Sequence, residues 1–187
     1  KDYFDEIVLR VYERYEQLLT RSAALDFDDL LFKTHALFEK VPEVSDKYQN
    51  RYVHFMVDEF QDTNVAQYAI AKHLSQKYRN LCVVGDPDQS IYSWRNADIR
   101  NILSFQTDYP EAKIIALEEN YRSTQTILGA AEKLIASNTQ RVEKDLWTSN
   151  GTGVPIVVNE CYDAPEEAQF VVKEVLNLQN GAYALGD

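Results

Sequence analysis

The sequence predicts an α/β architecture built on parallel strands, preceded by a helical segment. Three observations predict it. Short apolar, β-prone runs alternate with longer stretches whose apolar residues recur at helical spacing. Two of the short runs, Tyr52 to Val57 and Leu81 to Val84, end abruptly in acidic or Gly/Pro loops. The stretch between them, Val65 to about Tyr78, has the length of a crossover helix, the connection that parallel neighbours require.

The elements follow in order. Tyr3, Phe4, Ile7, Val8, Val11, Tyr15, Leu18 and Leu19 fall on helical spacing, so a first helix is expected over about Asp2 to Arg21. Asp26 can cap a second helix, Phe27 to Glu39, that stops near Val41-Pro42. Asn64 caps the crossover helix, and Ala97 to Phe105 reads as another. After Tyr109-Pro110 the pattern restarts with strand Lys113 to Leu117, helix Thr124 to Ser137, strand Val154 to Asn159 and helix Pro165 to Leu178. The turn-rich run Thr148 to Gly153 reads as a surface connection, because no lysine or helix start follows its glycines to make a phosphate cradle.

Composition narrows the class. With 45% hydrophobic and 26% charged residues the chain can bury a core, and no apolar run approaches the length that spans a bilayer. Nothing at the N-terminus reads as a secretory leader, so the expected location is cytoplasmic. Cys82 and Cys161 lie in apolar strand-like runs without partners at ligand spacing, which predicts reduced, buried thiols. His35, His54 and His73 are far apart in sequence and read as packing or surface residues.

Three junctions carry candidate chemistry. Asp58 and Glu59 follow the first strand-like run directly. There, one carboxylate can enter a Mg²⁺ shell while the other polarises a water. Such a pair also serves a solvated turn or a helix cap. At the second junction, Gly85-Asp86-Pro87 ends the strand and the loop presents Gln89, Tyr92, Trp94 and Arg95. An amide can sense a phosphate, and aromatics beside an arginine can stack on bases, although Tyr92 and Trp94 at alternate positions also fit core packing. At the third, Leu117 to Thr124, Arg122 can offset phosphate charge and Tyr121 offers a flat face to a purine. A surface salt bridge from Arg122 to Glu118 or Glu119 is the alternative.

In this order the three junctions, DEFQDTN, VVGDPDQSIYSWRNADI and LEENYRST, resemble motifs II, III and IV of the UvrD/Rep/PcrA family of superfamily 1 DNA helicases, and Ala24 to Leu31 resembles the family's DFDDLL segment. The resemblance implies partial RecA-like (P-loop NTPase) domains: 1–25 as the end of an inserted helical subdomain, 26–110 as the C-terminal half of a first RecA-like domain, and 111–187 as the start of a second, meeting the first across ATP. It implies that Asp58 holds Mg²⁺, Glu59 orients the attacking water, Gln89 contacts the γ-phosphate and couples it to DNA, Arg122 acts as an arginine finger, and Tyr121 stacks on adenine. Tyr92, Trp94, Arg95 and Phe27 would face single-stranded DNA. The implied activity is ATP-dependent 3′ to 5′ translocation and unwinding, with single strands and duplex junctions as partners. A helicase-nuclease motor or a degenerate protein-binding module are the alternatives.

Phe60, Pro87 and Glu119 depart from the family's common tyrosine, alanine and glutamine. The phosphate loop G-x-x-x-x-G-K-[ST] occurs nowhere in the sequence, so the chain alone is expected not to hydrolyse ATP and reads as an internal piece of a longer helicase, Lys1 being no natural start. Its net charge of −11 speaks against a broad electrostatic DNA surface. Stacking and a few local cations would then carry the contact.

Overall fold

A computed structural model describes residues 2–139, 142 and 144–179. Lys1 and residues 180–187, which the expected domain limits include, lie outside the described residues. The chain divides into two compact units, one of Lys1–Ala116 with Asn138–Lys144, the other of Leu117–Ser137 with Asp145–Asp187.

The first unit opens on α1, Tyr3–Arg21, as its spacing predicts. None of its residues is buried, and Tyr3, Phe4 and Val11 stand open to solvent. Its main tie forward is the Tyr15 hydroxyl, which donates to Asp26 Oδ2 at 2.9 Å. Asp26 also caps α2, Phe27–Lys40, by accepting the Asp29 N–H at 2.7 Å. Sequence reading took Pro42 as a stop only. Pro42 is equally suited to the first helical position, where no N–H is needed, and α3 runs Pro42–Arg51 from it.

Next come β1, Phe55–Val57, then α4, Val65–Ser75, then β2, Leu81–Val83, paired parallel to β1 in the register Met56 opposite Cys82. The parallel pair with its helical connection is thus present, and the described residues make a mixed, mostly helical fold with this one small sheet. Asn64 and Gln67 close a reciprocal capping box at the start of α4. The helix ends earlier than expected, where Ser75 Oγ donates back to Ala71 O at 2.8 Å and Arg79 turns the chain at φ 49°. The core lies between α4 and the segment around Phe105. Phe60 is fully buried, with Tyr68 and Phe105 edge-on at 5.3 and 5.6 Å, and Phe105 stacks on Tyr109.

Four expectations need correction. Ala97 to Phe105 is not one helix but part of two single turns, α5 Arg100–Leu103 and α6 Phe105–Asp108. Asp98 N and Asn101 Nδ2 are both held by Thr63 O, and Ser104 bonds back to Arg100 O, so tertiary anchors override helix continuation. Lys113 to Leu117 and Val154 to Asn159 are not strands. β-prone residues make a strand only against a ladder partner, and among the described residues neither run has one. Ile115 and Val158 are accordingly exposed. Cys82 is exposed and Cys161 half-buried, because Met56 and Cys82 share a sheet face that nothing described covers. The histidine reading needs none: His35 and His73, distant in sequence, pack with rings 5.3 Å apart where α2 meets α4.

The second unit contains α7, Gln125–Ile135, and α8, Ala164–Gln179, close to their predicted bounds. Leu128 is its buried apolar residue among those described. A single parallel bridge joins Glu119 to Trp147. No helix among the described residues is long and apolar enough to cross a membrane.

Candidate functional site

Asp58 leaves the C-terminal end of β1 exposed, and its Oδ1 accepts the Glu59 N–H at 2.9 Å. Glu59 adopts the left-handed conformation at φ 49°, ψ 43°, which a non-glycine residue takes only when its surroundings hold it there. Those surroundings are specific. Phe60 N donates to Val84 O at 2.9 Å, which ties the segment after β1 to the end of β2. Gln61 is 1% exposed, and its amide Nε2 donates to Glu59 Oε2 at 2.9 Å and to Asp62 Oδ2 at 3.3 Å.

From the other strand end, Asp86 N donates to Gln61 Oε1 at 3.0 Å. Asp86 caps the 3-10 turn Pro87–Gln89, where Pro87 fills the first position without losing a bond. Its carboxylate accepts from Asp88 N at 3.0 Å, from Gln89 Nε2 at 2.8 Å, and from Lys144, whose ammonium also lies 3.3 Å from Asp88 Oδ2. Burial pushes the Asp86 carboxyl up, but Lys144, Gln89 and the Asp88 N–H together outweigh it and hold it below the usual carboxylate range. Gly85 makes the approach possible, since a Cβ there would stand 2.6 Å from Gln61 Oε1. Asp58, Glu59 and Gln89 are therefore brought onto one bonded framework.

Downstream, Tyr92, Trp94 and Arg95 cluster. The Arg95 guanidinium lies 4.5 Å from the Trp94 ring centroid and 5.6 Å from that of Tyr92, with the two rings 6.2 Å apart. Trp94 is 69% and Phe27 90% exposed, so neither belongs to the core. Phe27, Tyr92, Arg95 and Asn96 line one open cleft. Flat, exposed rings beside a cation are the means by which proteins hold unpaired bases.

In the second unit, Asn120 Oδ1 accepts the N–H groups of Arg122 and Ser123 at 3.1 and 2.7 Å, fixing a tight turn. Tyr121 and Arg122 are both exposed upon it. The Tyr121 hydroxyl donates to Glu119 Oε2 at 2.7 Å, which raises its pKa above the ordinary phenol value. No carboxylate among the described residues pairs with the Arg122 guanidinium, so the salt bridge to Glu118 or Glu119 is not made. The run Thr148 to Gly153 does more than connect. Asn150 Nδ2 donates to Tyr121 O and Ser123 O at 3.1 Å, and Thr126 N donates to Thr152 O at 3.1 Å. Gly153, at φ 78°, sits where a Cβ would strike Thr124.

Sequence reasoning missed Gln61, Asp86, Lys144 and Asn150. An amide next to a phenylalanine, between acids, was the one available signal for Gln61. Lys144 and Asn150 act on segments far away in the chain and left none.

Comparison with known proteins accounts for this arrangement. Residues 1–110 match the UvrD/REP helicase N-terminal domain, and residues 115–187 match the UvrD-like helicase C-terminal domain. The chain is 54% identical over 178 residues to the ATP-dependent DNA helicase PcrA of Staphylococcus aureus, and 53% identical to that of Staphylococcus epidermidis. Each match covers 95% of this chain and 24% of the relative, so the chain spans about a quarter of the length of these relatives. By both family matches and by identity across nearly all of its length, the chain belongs to the UvrD/REP helicase family.

Proposed function

We propose that this chain is part of a DNA-dependent ATPase that translocates 3′ to 5′ on single-stranded DNA and unwinds duplex, with residues 1–25 ending a helical subdomain, 26–110 completing a first RecA-like domain and 111–187 beginning a second. One observation carries the reading. Two parallel strand ends present Asp58-Glu59 and the Asp86–Gln89 turn on a single hydrogen-bonded framework, the usual location for ligand chemistry in parallel sheets.

The residues suit Mg²⁺ and ATP. Asp58 offers a hard, exposed oxygen ligand, and its Oδ2 carries no hydrogen bond among the described residues. Bound there, Mg²⁺ would neutralise charge on the phosphates. Glu59 accepts the proton of the attacking water as the water adds to the γ-phosphorus and the bond from that phosphorus to the bridging oxygen breaks, so that ADP leaves. Gln89 reports the phosphate through its amide, Arg122 offsets negative charge on the transferring group, and Tyr121 stacks on adenine. Tyr92, Trp94, Arg95 and Phe27 hold single-stranded bases by stacking, which needs no large positive surface and so is compatible with a net charge of −11.

The sequence lacks a phosphate loop, so this chain by itself is expected to be inactive, and the test uses the full-length protein. ATP hydrolysis is measured with and without single-stranded DNA for the natural protein and Glu59→Gln. The expected result is strong DNA stimulation that the substitution abolishes while nucleotide binding persists. No hydrolysis by a folded full-length protein would replace this reading with that of a protein-binding module.

A further inference from the structure

We propose that Gln61 is a positioning residue that holds Glu59 for catalysis and links it to the Asp86–Gln89 turn. The proposal rests on the reading of Glu59 as the base. A primary amide inside a core is costly unless every polar atom is matched, and an apolar residue of the same size would be cheaper there. Gln61 is 1% exposed, and both ends of its amide are used.

Its orientation is dictated by the partners. The carboxylates of Glu59 and Asp62 can only accept, so Nε2 faces them, while the Asp86 N–H can only donate, so Oε1 faces it. Two further features converge on the same side chain. Gly85 leaves open the space that the amide oxygen fills, where any Cβ would approach to 2.6 Å. Glu59 itself is held at φ 49°, so a side chain on a strained backbone is pinned by one buried amide.

A continuous path of bonds follows: Glu59 Oε2 to Gln61 Nε2, Gln61 Oε1 to Asp86 N, and Asp86 Oδ2 to Gln89 Nε2. When Gln89 turns from Asp86 toward a phosphate, the Asp86 cap is reset, and Gln61 carries that change to the Glu59 carboxylate. Gln61 touches no reacting atom. Its effect is on where the Glu59 carboxylate points.

The experiment uses the full-length helicase with Gln61→Leu, Gln61→Glu, Gly85→Ala and, as a control, Glu59→Gln. Steady-state ATP hydrolysis on saturating single-stranded DNA, resolved into kcat and KM, oligonucleotide affinity and thermal melting are recorded. Gln61→Leu is expected to lower kcat roughly 10- to 100-fold, as small misplacements of a base do, with KM for ATP and oligonucleotide affinity nearly unchanged. Gln61→Glu keeps the size but replaces the amide donor with an acceptor, so it cannot hold the Glu59 carboxylate and should lower kcat with KM for ATP and oligonucleotide affinity nearly unchanged. Gly85→Ala displaces the amide without replacing it and should lower kcat in the same direction, so the proposal stays testable if Gln61→Leu does not fold. Natural kcat in the folded Gln61 variants, beside an inactive Glu59→Gln, would overturn the positioning role alone. Losses that fall equally on kcat, KM and oligonucleotide affinity and track melting temperature would overturn it in favour of plain packing. Retained turnover in Glu59→Gln would overturn both the base and the role built on it.

Discussion

At the scale of single residues, exposure decides between packing and recognition. Trp94 could have filled a core from an extended segment, yet it stands 69% exposed with Arg95 over its ring. An exposed indole beside a cation is what the proposed stacking on unpaired bases would use. Trp94→Ala in the full-length protein should therefore weaken single-strand binding by about 1 to 3 kcal/mol, one base's worth of stacking, as read by fluorescence titration. Its salt dependence should stay the same, because no cation is lost. Phe60 shows the opposite limit. It is fully buried between Tyr68 and Phe105, one position from Glu59, so Phe60→Ala should cost about 3 to 5 kcal/mol in a denaturant titration. The departure from tyrosine here leaves an apolar ring wholly among other rings.

At the scale of elements, the α2 and α4 contact is sensitive to acid. Burial lowers the pKa of His73, the neighbouring His35 lowers it further, and Glu39 opposes them weakly. The folded state then binds fewer protons than the unfolded one between the depressed value and 6.5, so stability is greatest above 6.5 and falls as pH drops through that window. Urea midpoints at stepped pH check the sign, and His73→Gln should flatten the dependence. The same element shows what was legible. Asn64 announced the start of α4 because a cap is a local signal, and the structure added Gln67 as its reciprocal partner. The end of α4 depended on Ser75 and Arg79, and α5 and α6 depended on Thr63, so their limits were not readable from propensity.

At the scale of the whole molecule, the bare faces belong together with the length of the relatives. α1 buries nothing, Met56 and Cys82 face outward, and the β-prone runs near Ile115 and Val158 lack ladder partners among the described residues. Large exposed apolar patches mark surfaces that pack against something. Expressed alone, the 187-residue chain should bind a hydrophobic dye strongly and show no DNA-stimulated ATP turnover, whereas the full-length protein should bind little dye and hydrolyse ATP in response to single-stranded DNA. By itself the sequence determined the starts of α1, α2 and α4, the parallel strand pair, the family and the chemical types at Asp58, Glu59, Gln89, Tyr121 and Arg122, because caps, periodicity and motif spacing are properties of neighbouring residues. Only the tertiary structure decided that Gln61 joins Glu59 to Asp86, that Lys144 pairs with Asp86, that His35 meets His73 and that two β-prone runs have no ladder partner among the described residues. Those outcomes depend on which distant groups meet, and a hydrogen bond or a ladder needs a partner whose place the local sequence does not encode.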